Sequence, residues 1–131
     1  MSQENVELTR RAFEAFKDRD LDGLLGILDD DVEAFPILAG MEGGYRGHDG
    51  IRRWWTGLLG TFPDFRAEIV ELHDHGDSTI AVMRMRGHGA ESDTPVDAAA
   101  WQVSHFRHGK CIGWRVYTSE REALEAVGLR E

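Results

Sequence analysis

Residues 96–118 read VDAAAWQVSHFRHGKCIGWRVYT, and this stretch decides the fold. Two runs of alternating side chains, over 96–107 and 111–118, flank the tetrapeptide Arg107-His108-Gly109-Lys110. A short polar break with a glycine between two β-prone runs is typical of a tight hairpin turn. The stretch therefore predicts two neighbouring antiparallel strands.

The first of these strands has an unusual side-chain pattern, because both of its faces lack fixed charges. One alternating set comprises Ala98, Ala100, Gln102, Ser104 and Phe106, and the other comprises Ala99, Trp101, Val103 and His105. A sheet with one wet face alternates apolar with charged residues, so we expect both faces to be covered. Helices can cover one face, and a second copy of the chain is expected on the other. The small residues of the first set leave room for a cavity.

The flanking sequence completes an antiparallel meander. Further strands are predicted at about 65–73 and 78–89, joined by a tight turn over 74–77. After the last strand, Ser119 and Glu122 have the capping-box spacing and predict a short final helix.

The first half of the chain predicts three helices and one short strand. Apolar residues at helical spacing indicate helices at about Glu4–Asp18, at 20–28 with Asp20 as its cap, and from near Asp49 to Phe62. A short strand is predicted over Val32–Ile37. The three aspartates at 29–31 are predicted to form a solvated turn before it, and the glycine-rich residues 40–50 are predicted to form a loop after it. Helices followed by strands predict an α+β fold.

Composition limits the classes of partner. The 131 residues predict one domain over 1–131, and the net charge of −9 argues against nucleic acid as a partner. No stretch is apolar enough for a signal peptide or a membrane span, so no membrane partner is expected. The one cysteine, Cys111, suits a reducing compartment, and we expect a cytoplasmic location.

Four segments carry a resemblance to a known family. They read FEAFKDRDLDGLLGILDDDVE (13–33), YRGHDGIRRWW (45–55), HFRHGKCIGWRVY (105–117) and EREALEAVGL (120–129). With the order of elements, they resemble the nuclear-transport-factor-2-like superfamily, and within it the SnoaL-like branch, which includes polyketide cyclases. Ketosteroid isomerases and limonene epoxide hydrolase are relatives. The resemblance implies a cone: a curved, mostly antiparallel sheet wrapped around three helices, plus a short C-terminal helix. It also implies an apolar pocket open at one end, and pairing of two copies through the sheet.

The catalytic residues of these relatives map onto uncharged positions of this chain. The carboxylate base of the isomerases corresponds to Pro36, and their two oxyanion donors correspond approximately to Ala12 and Gln102. The arginine and aspartates of the epoxide hydrolases fall near Ala100, Gln102 and Val116 or Thr118. A histidine common in SnoaL-like chains is replaced by Gln102. The Gln102 amide can still donate a hydrogen bond that polarises a carbonyl, but the isomerase mechanism also needs a general base, and that position is Pro36.

Eight residues are predicted to line the pocket: Trp54, Trp55, Ala100, Gln102, Ser104, Trp114, Val116 and Thr118. The resemblance places the tryptophans and the last strand on its wall, and aromatic walls bury flat ligands well. The alternative is that these side chains simply close the core. The facing of Glu33, His73 and Asp97 is open, because a one-residue change of register reverses it.

Other polar clusters have surface interpretations. His73 and His75 share one side of a strand end but lack a third ligand, so a solvated hairpin is favoured over a metal site. Arg84, Arg86 and His88 are expected to pair with Glu68 and Glu71 across a hairpin, with binding of an anionic substrate as the alternative. No cofactor motif is present.

These features predict a protein that binds a small apolar, ring-containing molecule, with an isomerase, cyclase or hydrolase activity unassigned. The alternative is a domain without enzymatic activity that binds a ligand or assembles with itself. A homodimer is expected, with Trp101, Val103 and Tyr117 at its interface.

Overall fold

The computed structural model describes residues 2–36 and 44–128. Within them the helices are α1 (Ser2–Lys17), α2 (Leu21–Ile27), α3 (Gly47–Thr61) and α4 (Glu120–Ala126). The strands are β1 (Leu28–Phe35), β2 (Tyr45–Arg46), β3 (Arg66–Asp74), β4 (Ser78–His88), β5 (Pro95–Arg107) and β6 (Lys110–Tyr117). None of the helices in these two ranges is both long and apolar enough to cross a bilayer.

The six strands form one sheet in the order β2-β1-β6-β5-β4-β3. Every neighbouring pair is antiparallel except β1 and β6, which are parallel. Register shifts interrupt the β1–β6, β3–β4 and β5–β6 ladders, and such irregularities bend and twist a sheet. The predicted α+β fold, a curved sheet around three helices with a short fourth helix, is confirmed.

The hairpin within residues 96–118 lies at the predicted position, and it has the geometry of a two-residue turn. His108 and Gly109 both have positive φ, at 54° and 75°, as a type I′ turn requires at its two central residues. The turn pairs Arg107 with Lys110, and the register shift between His105 and Phe106 then places Ser104 opposite Trp114 and Gln102 opposite Val116.

The helix caps also follow the sequence. The Asp20 carboxylate accepts a hydrogen bond from the backbone N–H of Gly23 at 3.0 Å, and Ser119 Oγ accepts one from Glu122 at 3.1 Å. Each bond satisfies a first-turn donor that has no partner inside its helix.

The predicted turn at 29–31 is wrong, because those aspartates belong to β1. Leu28 is already extended and begins the strand directly after α2. The irregular register between Leu28 and Glu33 lets Leu28 and Val32 both stay buried while Asp30 and Asp31 face solvent. Ile37, the predicted end of this strand, lies outside the described residues.

The third helix begins two residues earlier than predicted. Its first residue is Gly47, which has a φ of 70° and follows directly from β2, the short strand paired with β1. Asp49, the predicted start, lies in the first turn and pairs with Arg52 at 2.8 Å.

The outer face of the sheet is covered in part by the chain itself. α4 packs there, and Ile80, Val103 and Ala123 form a small second core with Trp101 and Tyr117 partly buried beside it. A second copy is therefore not required over Val103, which is fully buried within one chain.

His105 lies on the same outer face of β5 as Val103. Its Nδ1 lies 2.8 Å from the Ser78 hydroxyl, and burial lowers the pKa of the imidazole below its ordinary 6.5. The side chain is consequently neutral at pH 7.

An exposed ion pair fixes the corner between α3 and the end of β4. Asp64 accepts two hydrogen bonds from His88, one from its backbone N–H at 2.8 Å and one from Nδ1 at 2.9 Å. The hydrogen bond with Asp64 raises the pKa of His88 above 6.5, assisted by the charge of Asp93. The same bond lowers the pKa of Asp64 below 3.8.

This pair predicts a pH-dependent contribution to stability. The imidazole contribution is fully present below pH 6.5 and is lost as the pH rises through the raised pKa of His88. The carboxylate contribution is present above pH 3.8 and is lost as the pH falls through the lowered pKa of Asp64. The difference in urea midpoint between wild type and Asp64→Asn should therefore be largest between pH 3.8 and 6.5 and shrink toward pH 9. A difference that stays constant from pH 5 to pH 9 would contradict the assignment.

Candidate functional site

A cavity lies between the concave face of the sheet and the helices α1, α2 and α3. Its water-accessible volume is about 90 Å³, and about 15 Å³ is enough to hold one water molecule. The cavity is partly open, so a small organic molecule has both a space and an entry path. Its apolar wall comprises Leu8, Ala12, Phe13, Phe16, Leu24, Ile27, Leu28, Pro36, Trp54, Leu58, Phe65, Ala67, Met83, Met85, Phe106, Trp114 and Val116.

Aromatic rings from the helices and from the sheet meet at this wall. The Trp54 ring of α3 stands edge-on to the Trp114 ring of β6, with centroids 5.4 Å apart and planes at 69°. Phe16 of α1 approaches Trp54 at 5.9 Å. Edge-on and tilted packing of this kind is favourable for aromatic pairs and leaves flat surfaces for a ring-containing guest.

Four polar side chains complete the wall: Thr9, Gln102, Ser104 and Cys111. The hydroxyl of Thr9 is already hydrogen-bonded within the protein, since it donates to the Asn5 carbonyl at 2.9 Å and lies 2.8 Å from the Thr79 hydroxyl. The thiol of Cys111 donates to the Gly113 carbonyl, and burial raises its pKa to about 12. It is therefore protonated at neutral pH and is a poor nucleophile.

Of these four side chains, Gln102 and Ser104 have unused hydrogen-bonding capacity. Gln102 Nε2 lies 3.5 Å from Ser104 Oγ, which is the long limit for a hydrogen bond. Because a hydroxyl both donates and accepts, Ser104 can pair with either end of the amide. The pair can thus offer a donor or an acceptor to a guest.

No charged side chain among the described residues lines the cavity. The three residues whose facing the sequence left open all make surface pairs: Glu33 with Arg46 at 2.8 Å, Asp97 with Arg84 at 2.7 Å, and His73 with Glu71 at 3.0 Å. General acid–base chemistry needs a titratable group within reach of the reacting atoms. Within residues 2–36 and 44–128 the wall supplies none with a pKa near neutrality; Glu42 lies outside these ranges.

The structure brings five of the eight predicted pocket residues to one wall: Trp54, Gln102, Ser104, Trp114 and Val116. Trp55 follows Trp54 by about 100° around the helix, so it faces away from the cavity and packs against Phe16 at 5.1 Å. Ala100 is fully buried opposite Met83, whose longer side chain forms the wall there. Thr118 is exposed beyond the end of β6, where the chain turns toward α4. Ligand contact by any of the eight stays a prediction.

The sequence reasoning missed the contribution of α1. The cavity side of this helix carries Leu8, Ala12, Phe13 and Phe16, of which only Ala12 had been related to a site, as the position of an oxyanion donor. Met83 and Met85 alternate on β4 in the same phase as the small residues of β5 opposite them. That shared phase was the available signal, because cross-strand partners point to the same face.

The predicted surface pairs on β4 are correct for one of the two carboxylates. Arg86 approaches Glu68 at 3.7 Å, whereas Glu71 pairs with His73 on its own strand. Arg84 instead pairs with Asp97 of β5.

The described part of the chain contains no group of three or more His, Cys, Asp or Glu side chains able to hold a metal ion.

Comparison with known families agrees with this geometry. A SnoaL-like domain model matches residues 9–114, which is most of the chain. The chain belongs to the SnoaL-like family. The match runs from the middle of α1 to the middle of β6 and so includes part or all of every element that lines the cavity of this SnoaL-like protein.

Solved structures share the whole fold at low sequence identity. A nuclear-transport-factor-2-like protein of unknown function from Burkholderia pseudomallei superimposes with a TM-score of 0.80 at 20% identity, covering 96% of this chain and 98% of its own. TerC, co-crystallised with polyporic acid, gives 0.78 at 20% identity, with coverage of 96% and 99%. A Mycobacterium tuberculosis protein in complex with estradiol-17β-hemisuccinate gives 0.77 at 11%, with coverage of 89% and 95%. No curated protein matches the sequence. Identities this low show the fold alone.

Proposed function

We propose that this SnoaL-like protein binds a small, uncharged, mostly apolar molecule that contains at least one ring. The observation that carries the proposal is the neutral, aromatic wall of the cavity, where the edge-on pair of Trp54 and Trp114 adjoins the free hydrogen-bonding capacity of Gln102 and Ser104. A charged ligand would be buried there without a counter-ion, which is strongly unfavourable. Two proteins of the same fold were solved with ring-containing ligands, which supports a ring in the guest; both ligands are acids, so the uncharged character of the guest rests on the cavity wall alone.

Binding is better supported than catalysis of the isomerase, cyclase or hydrolase type. An oxyanion donor is available in the Gln102 amide, but the described wall offers no base to act with it. The position that corresponds to the isomerase base is Pro36, which lines the cavity with an apolar ring. We therefore place ligand binding first and an unassigned reaction second.

Self-association through the outer sheet face is the second candidate function. Trp101 and Tyr117 are only partly covered beside α4, and a second copy of the chain would complete their burial. Val103, which belongs to the interface predicted from the sequence, lies beneath this layer and would stabilise it indirectly.

The proposal includes a single domain over 1–131 and, because the chain has one cysteine, a cytoplasmic location.

Thermal unfolding with three two-ring probes tests the ligand proposal. Tetralin and 1-tetralone are uncharged, whereas 1-naphthoate is of similar size and anionic. At a ligand concentration about 100 times Kd, binding stabilises the folded state by about 2.7 kcal/mol, so the uncharged probes should raise Tm by several degrees. 1-Naphthoate should leave Tm unchanged. Equal stabilisation by all three probes, or by none, would refute the proposal.

A further inference from the structure

The indole N–H of Trp54 is unusual among the polar groups of this protein. Of the side-chain nitrogen and oxygen atoms in the described residues, Trp54 Nε1 is the one fully buried atom without a hydrogen-bond partner. The side chain as a whole is 91% buried, and it lines the cavity. Buried polar groups in native proteins are nearly always paired, so an unpaired donor at a cavity wall needs an explanation.

The surroundings of the ring supply no acceptor. Trp114 stands edge-on at 5.4 Å, Phe16 lies at 5.9 Å and Trp55 at 6.4 Å, all measured between ring centroids. Water does not reach the nitrogen either, because the atom is shielded from water-sized molecules in the empty cavity. The donor is therefore desolvated without compensation, and pairing it with a ligand requires the indole ring to turn within the cavity wall.

Trp55, the adjacent tryptophan, provides a comparison. Both are 9% exposed, and both belong to α3. Of these two indoles, only Trp54 lines the cavity, and only its nitrogen is fully buried without a hydrogen-bond partner.

We infer that Trp54 determines ligand specificity by donating its indole N–H to a neutral oxygen acceptor of the ligand. This inference rests on the proposed function, and it narrows the ligand class to ring compounds that carry a ketone, quinone or ether oxygen. A carboxylate would also accept the bond, but no described cationic side chain lines the cavity to compensate its charge. A site with a buried donor discriminates against analogues that lack the acceptor, because the donor then stays unpaired.

Gln102 is the other residue of the wall that can hydrogen-bond to the acceptor oxygen of the ligand. Its amide lies on the same wall, where Ser104, its hydrogen-bond partner, is opposite Trp114 in the β5–β6 register. The amide can rotate and can pair with Ser104 through either end, so it accommodates donors and acceptors alike. Trp54 offers only a donor, and the two residues therefore predict different selectivity.

Binding of tetralin and 1-tetralone, which differ in a single carbonyl, separates these possibilities. The measurement is the ratio of the two Kd values by isothermal titration for wild type, Trp54→Phe and Trp55→Phe. We expect Trp54→Phe to reduce the preference for the ketone by about three- to tenfold relative to wild type, the range of one neutral hydrogen bond. Trp55→Phe, an equal change at an equally buried neighbour, should leave the ratio within about twofold.

A second pair of variants, at two glutamines, tests whether Gln102 contributes to the ketone preference. Gln102→Leu is compared with Gln3→Leu, the same change at an exposed position of α1. Gln3→Leu should leave the ratio of the two Kd values unchanged, and Gln102→Leu should reduce the ketone preference by less than Trp54→Phe does. Loss of the preference in Gln102→Leu but not in Trp54→Phe would overturn the inference while leaving the proposed function intact. Failure of both probes to bind the wild-type protein would instead overturn the proposed function.

Nitrogen-15 spectra of the wild-type indole groups give a readout independent of affinity. The Nε1–H resonance that is absent from Trp54→Phe should move downfield with 1-tetralone and not with tetralin. Equal movement with both probes would contradict a hydrogen bond to the carbonyl.

Discussion

Trp114→Ala is expected to lower the free energy of unfolding by about 3–5 kcal/mol, the range for deleting a large buried aromatic side chain. Trp114 is 7% exposed, forms part of the main core and stands edge-on to Trp54. Its removal enlarges a cavity that already exists, so neighbouring side chains have little to collapse onto. Urea unfolding followed by circular dichroism measures the loss.

The same variant should no longer be stabilised by 1-tetralone, because the ring contact on the β6 wall is gone. Trp101→Ala is the matched control: it removes the same side chain from β5, but on the outer face, where Trp101 is only partly buried. The control should keep the ligand-induced rise in Tm and, if the outer face pairs two copies, should lose self-association in light scattering. If Trp114→Ala proves too unstable to assay, Trp114→Leu serves in its place. Full ligand stabilisation of either Trp114 variant would refute the placement of the site.

Gly113→Ala is expected to destabilise the protein by about 2–3 kcal/mol, although it adds only one methyl group. Gly113 lies in β6 between Glu33 of β1 and His105 of β5. A Cβ built on Gly113 would lie 2.9 Å from the Glu33 carbonyl oxygen, closer than such atoms approach in real structures. Because the obstacle is backbone, it cannot rotate away, and the one parallel ladder of the described sheet must shift.

Gly60→Ala provides the matched control for this substitution. Gly60 is exposed on α3, and a Cβ there meets nothing within 4 Å. Alanine loses less backbone entropy on folding than glycine does, so this variant should be stabilised by about 0.5–1 kcal/mol. Both values come from urea unfolding. Equal shifts in the two variants would show that the contact at Gly113 is relieved without loss of pairing.

The strands and most helix ends were predictable because local rules decide them. The type I′ turn at His108-Gly109 requires residues that tolerate positive φ, and the caps at Asp20 and Ser119 require side-chain acceptors at fixed spacing. The aspartates at 29–31 were misassigned, because a strand that pairs with a distant partner tolerates charges on its exposed side.

The candidate site was predictable only in part. Alternation along β5 assigned Gln102 and Ser104 to one face, the family resemblance assigned Trp114 and Val116 to the pocket wall, and all four line the cavity. Alternation does not say how far a side chain reaches, so Ala100 was included although Met83 covers it. Nor does an apolar helical stripe say whether it meets a solid core or an empty space, which is why the share of α1 in the wall was missed.

By itself, the amino-acid sequence determined the α+β fold, the order of the elements and the two faces of the central part of β5, because periodicity, capping and turn chemistry act over a few neighbouring residues. The tertiary structure alone decided that the inner faces do not fill their space, that Glu33, His73 and Asp97 pair on the surface, and that the Trp54 nitrogen is buried without a partner. Those outcomes depend on the curvature of the sheet and on the distance between elements far apart in the chain, and no local pattern of residues encodes either quantity.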